Sequence, residues 1–200
     1  YKTGSPKLFL NEIMEGLSLQ LITYLLALSK TKDTKDLLPA AMMYIYLHGR
    51  PKSISVPPNG IPHAKEKENT NGIFLNDPDV LRTLDSQSGT DDGFIGVSYV
   101  KDGSVKKTSP VLTAEEFEAL KALTEKTLIR RYSRLESGEI AIHPVKNGTL
   151  SPCSYCPYRS ICRFDPALPE NSFDYISKVS DKTIREKLDE EMKRTGKENL

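Results

Sequence analysis

Cys153, Cys156 and Cys162 stand in a C-x2-C-x5-C pattern and are the only cysteines of the chain. A C-x2-C step lets two thiolates of one tight turn reach the same metal centre, and thiolate softness suits zinc or iron. Free buried thiols would belong in an amphipathic core element, but Pro152, Pro157 and Tyr158 mark an irregular, constrained loop. Spacing leaves the metal open. Zinc needs a fourth ligand, for which His143 is a candidate although it lies outside the compact spacing and beside Pro144. An iron–sulfur cluster in its usual form takes a further cysteine, expected before Tyr1.

A second set of candidate groups lies at the amino end: Lys2, then Gln20 and Tyr24. Where carboxylates hold a divalent metal that acidifies a bound water, a lysine can orient that water or balance charge developing on a phosphate. Gln20 and Tyr24 are spaced to share one helical face, where an amide and a phenol can meet a phosphate or steady a metal site. Taken singly these signals are weak. Tyr24 in so apolar a helix reads equally as a core aromatic, and Lys2 as a solvated terminus.

The composition limits the partners. With 28 Lys+Arg against 27 Asp+Glu, no global field draws the chain to nucleic acid or an anionic membrane, so any DNA contact must be local. The most apolar stretch, Leu17 to Leu28, is broken by Ser18, Gln20 and Thr23. It falls short of the roughly 20 residues that cross a bilayer, and no membrane partner is expected. An odd set of clustered cysteines suits a reducing compartment, hence a cytoplasmic location, better than a secreted disulfide framework.

The elements that must position these groups read as α/β. Asn11 can cap a helix running to about Ser29, apolar on well over one face. Ala40 to Leu47 reads as an interior strand covered on both sides. The Pro- and Gly-rich residues 49–72 read as a surface loop with little order, part of an insertion near 49–93. Asp77 and Pro78 open a short helix through Leu84. Asp102 and Gly103 favour a hairpin turn between the segments 94–100 and 104–108. Thr113 and Glu116 form a capping box for a helix ending at Ser137 and Gly138, with Phe117, Leu120, Leu123, Leu128, Ile129 and Leu135 as its core stripe. Residues 151–166 form the cysteine loop, and 167–200 a tail with a helix near 181–195.

Tyr1-Lys2-Thr3-Gly4, the series Gly16, Gln20, Tyr24, a buried strand, a capped helix and then C-x2-C-x5-C follow one another along the whole chain. This order resembles the carboxy-terminal nuclease region of the AddB-type subunit of bacterial AddAB helicase–nucleases, within the RecB-like PD-(D/E)XK nucleases. The resemblance implies a partial restriction-endonuclease-like α/β core over residues 1–150, with a carboxy-terminal iron–sulfur loop. It makes Lys2 the catalytic lysine and Gln20 and Tyr24 its DNA or active-site support. It also implies a 4Fe-4S cluster on Cys153, Cys156, Cys162 and a leading cysteine, Mg²⁺ in the nuclease site, DNA as substrate and an AddA-type helicase–nuclease as partner.

The implied activity is metal-dependent DNA exonuclease action within an ATP-dependent complex that resects double-strand breaks for recombinational repair. The alternative is a non-catalytic thiol–metal module for nucleic-acid binding or assembly. YKTGSPK has no initiator Met or signal-peptide layout, and the chain is expected to begin inside a larger protein, with the acidic metal ligands ahead of Tyr1. Alone, it is then expected not to hydrolyse DNA. No G-x4-G-K-S/T motif occurs, so ATP use would come from elsewhere in the parent or from its partner.

Overall fold

The computed structural model describes residues 7–34, 37–46, 70–90, 93–169, 171–176 and 179–198. Lys2 and most of the expected loop lie outside these residues. Two short helices replace the single helix expected from Asn11: α1, Leu10–Met14, and α2, Gln20–Ser29. Phe9, not Asn11, occupies the cap position of α1, without a side-chain hydrogen bond. The break lies at Gly16, whose φ of +79° is the left-handed conformation that terminates helices. Gly16 N donates to Ile13 O at 2.9 Å and Leu17 N to Glu12 O at 2.7 Å, the paired bonds of a Schellman motif.

Strand β1, Ala41–Ile45, pairs antiparallel with β2, Thr70–Leu75, which in turn runs parallel to β3, Val111–Leu112. The centre of this sheet is therefore β2, which begins inside the stretch read as a loop. Its side chains alternate: Ile73 and Leu75 join a core with Phe117, Leu120 and Leu188, whereas Phe74 faces Leu81, Ile95, Val97 and Val111. The strand covered on both faces is thus β2. Strand β1 ends the sheet order, with Met42 buried and Ile45 exposed. Gly72 sits opposite Met43, where an added Cβ would lie 2.4 Å from the Met43 Cβ. Such close backbone approach needs a glycine in the strand.

Between β2 and β3 run the helix α3, Pro78–Leu84, and the expected turn. Asp77 caps α3, accepting from Asp79 N at 2.9 Å and Val80 N at 3.2 Å. The hairpin turn forms at Asp102 and Gly103, but its ladder is a single bridge between Tyr99 and Val105.

Helix α4, Ala114–Glu136, underlies the sheet. Its capping box is complete: Glu116 N donates to Thr113 Oγ1 at 3.2 Å and Thr113 N to Glu116 Oε2 at 2.8 Å. Phe117 and Leu120 are fully buried, each contributing about 1.5–3 kcal/mol by removal from water. Helix α6, Asp181–Glu198, lays Ile184 and Leu188 on the same core. Arg185 of α6 reaches Glu116 Oε1 at 2.5 Å and Val111 O at 3.1 Å, and Lys126 pairs with the buried Glu191.

The expected core stripe of α4 stops short. Ile129 and Leu135 are 59% and 74% exposed. At 23 residues the helix is about 35 Å long and outruns the elements that pack on it. It ends at Gly138 (φ +74°), where Gly138 N donates to Leu135 O and Glu139 N to Arg134 O, both at 3.1 Å. No described helix is long and apolar enough to cross a membrane.

Candidate functional site

The residues that could do chemistry occupy two places. Gln20 is the first residue of α2, placed by the Gly16 turn, and Tyr24 lies one turn further on. Gln20 Nε2 donates to Tyr24 Oη at 3.0 Å, so the two side chains project from one face. Tyr24 is 56% exposed, whereas Ile22 and Leu26 on the opposite stripe are buried. Among the described residues Tyr24 therefore stands outside the apolar core. What the helix presents outward is an amide–phenol pair that retains donor and acceptor capacity for a polar ligand. The lysine expected beside it lies outside the described residues.

The second place is the segment after α4. Strands β4, Val145–Lys146, and β5, Asp174–Tyr175, pair in parallel and bracket the cysteine loop. Ser151 accepts from Cys153 N at 3.3 Å and starts a 3-10 turn, Pro152–Ser154. Helix α5, Arg159–Cys162, follows and closes on Arg163 at φ +51°. Cys153, Cys156 and Cys162 line one open pocket of about 330 Å³ together with Lys146, Arg159, Phe164 and Phe173. Phe173 packs edge-on against Phe164 at 4.8 Å and Tyr175 at 6.0 Å, and Lys146 Nζ lies 4.9 Å over the Phe173 ring.

This donor set suits a soft metal or cluster: three thiols, no lining carboxylate, and two cations able to offset thiolate charge. Convergence, however, falls short of the expectation. Among the described residues no three His, Cys, Asp or Glu side chains come together closely enough to hold one metal ion. The Cys153 N–H donates to Ser151 Oγ and the Cys162 N–H to Tyr158 O at 2.9 Å. His143 does not line the pocket; its Nδ1 meets Ser172 Oγ at 3.0 Å instead.

Of the other pocket residues, Arg159 was within reach of sequence reading, since it lies inside the cysteine run. Lys146 and Phe173 carry no such signal, because only the pairing of β4 with β5 unites them. Nearby, the Arg134 guanidinium bound to Glu139 holds that carboxyl below the usual carboxylate range.

Residues 1–163 match the family model of the PD-(D/E)XK nuclease superfamily, and the chain belongs to that superfamily. Within it, the relatives are subunits B of ATP-dependent helicase/deoxyribonucleases. The one from Clostridium kluyveri is 33% identical over 192 residues, 92% of this chain and 17% of the relative. That of Desulforamulus reducens is 32% identical over 191 residues, 92% and 16%, and that of Bacillus subtilis 31% over 200 residues, 96% and 17%. The chain spans about one sixth of the length of these curated relatives.

Proposed function

We propose that this chain is the trailing part of a metal-dependent DNA exonuclease domain in a helicase–nuclease subunit that resects double-strand breaks for recombinational repair. The Gln20–Tyr24 pair carries the reading: an exposed phenol on an apolar helix, hydrogen-bonded to a half-buried amide, is spaced to meet a polar substrate rather than to fill a core. DNA is the substrate, an AddA-type subunit the partner and the cytoplasm the location. When bound by acidic residues that precede Lys2, Mg²⁺ supplies an acidified water and charge stabilisation at the phosphate. Lys2 orients that water or balances charge on the phosphate. Gln20 and Tyr24 hold the scissile strand by its backbone, which positions it without reading sequence.

The three thiols belong, in this reading, to a 4Fe-4S cluster completed by a leading cysteine. Support comes from their shared pocket, which holds all three thiols and is lined by no carboxylate. The cluster then ties the segment after α4 to residues ahead of the nuclease core.

Gln20→Ala tests the proposal in the intact subunit assembled with its partner. Degradation of linear DNA with Mg²⁺ is expected to fall about 10- to 100-fold, with no change in melting temperature, because the side chain contributes to no core. Undiminished degradation would remove Gln20 from the site. A lowered melting temperature would instead give it a structural role.

A further inference from the structure

The turn that launches α2 is gripped from α4, across 116 residues of sequence. Arg131 Nη2 donates to the Glu15 carbonyl at 3.2 Å. A Cβ added to Gly16 would stand 2.9 Å from Arg131 Nη2, 3.0 Å from Arg131 Nε and 3.0 Å from Thr127 Cγ2. The guanidinium therefore lies directly over the Gly16 backbone, where it would have to shift to admit a Cβ, and the φ of +79° itself favours glycine.

Within the turn, Ser18 adopts φ +50° and its hydroxyl donates to Glu12 Oε2 at 2.8 Å. An arginine on the exposed side of a helix ordinarily adds little to stability. Here its contact is with the bend itself. Helix α1 has only five residues, and helices so short are marginal alone, so its bend depends on contacts with the rest of the fold. Gln20 begins α2 four residues beyond Gly16, so the geometry of the bend decides where the Gln20–Tyr24 pair stands.

We infer that Arg131 is a positioning residue for the nuclease face: it clamps the Gly16 turn and so fixes the origin of α2 and the place of Gln20 and Tyr24. The inference rests on the proposed nuclease role for its consequence in activity, though the clamp itself does not depend on that role. A guanidinium suits the task because its donors form a fixed planar fork, whereas a lysine ammonium is a single mobile charge. Displacement of a substrate-positioning group by about 1 Å costs on the order of 10²-fold in rate.

Two readouts on the intact subunit with its partner test it. In hydrogen–deuterium exchange, Arg131→Gln is expected to speed exchange of the Gly16 and Leu17 amides, which close the turn, while the first half of α4 stays protected. Unchanged exchange there overturns the clamp whatever the enzyme does. In Mg²⁺-dependent degradation of linear DNA, Arg131→Gln is expected to lower kcat about tenfold with a smaller change in KM, and Arg131→Lys to recover part of the loss. Combined with Gln20→Ala and Tyr24→Phe together it should cost nothing beyond those two substitutions alone, since groups acting through one another are not additive. Multiplied losses would show that Arg131 does not act through the Gln20–Tyr24 pair. A wild-type enzyme that fails to degrade DNA would count against the nuclease reading and leave the exchange result to judge Arg131.

Discussion

The body built on β1–β3, α4 and α6 and the segment that carries the cysteines are held by different physics. In the body, apolar side chains fill both faces of β2, and the buried charges Glu116 and Glu191 are each paired across helices. In the described residues 129–176 only Ser151 is buried, and none joins either apolar core. Local turns, one two-residue strand pair and the Phe164–Phe173–Tyr175 ring contacts shape that segment. Among the described residues this segment has no apolar core of its own, and its three thiols line one open pocket.

The contrast breaks most visibly at the centre of the body. Phe117→Ala is expected to cost about 3–5 kcal/mol, lowering the denaturation midpoint of the body as a whole in chemical unfolding. Cys156→Ala should do the reverse. Bound iron and sulfide fall, and limited proteolysis cuts between about residues 143 and 176, while the midpoint of the body barely moves. Loss of the body's cooperative unfolding in that variant would show that the two regions are one unit.

Thr113→Ala removes one half of the α4 capping box and is expected to cost about 1 kcal/mol, read as a shift of the same midpoint. At the junction of the two regions, Glu139 titrates below its ordinary range because Arg134 binds its ionised form. A carboxyl depressed in this way stabilises the folded state above its unfolded pKa, and the contribution is lost as pH falls through the folded value. Both side chains of this pair reach solvent, so the effect belongs in an NMR titration rather than a melting curve. Arg134→Gln should return the Glu139 midpoint toward its usual value.

What could be read from the sequence follows from how local each determinant is. The caps Asp77, Thr113 and Glu116 were legible because each bonds to backbone within three residues, as was the glycine stop at Gly138. The Gly16 break was not, because apolar residues at helical spacing continue on both sides of it. Strand β2 was hidden by Asn71 and Gly72, which imitate a turn; what makes them strand is the close approach of Met43 from β1. Periodicity gave α4 an apolar face but not the length of that face that finds partners, so Ile129 and Leu135 were placed in a core they do not reach. Q-x3-Y showed that Gln20 and Tyr24 share a side; that the side is solvent, with Arg131 behind the turn, required the packing of α1 and α2 on α4.

On the proposed function, this chain closes a metal-dependent nuclease site through Lys2. Its most direct test is Lys2→Ala in the intact helicase–nuclease, measuring Mg²⁺-dependent release of nucleotides from linear DNA beside ATP hydrolysis and iron content. Nucleotide release attributable to this subunit is expected to fall, by roughly 10²-fold or more, with ATP hydrolysis and iron unchanged. Release at the wild-type rate would contradict it.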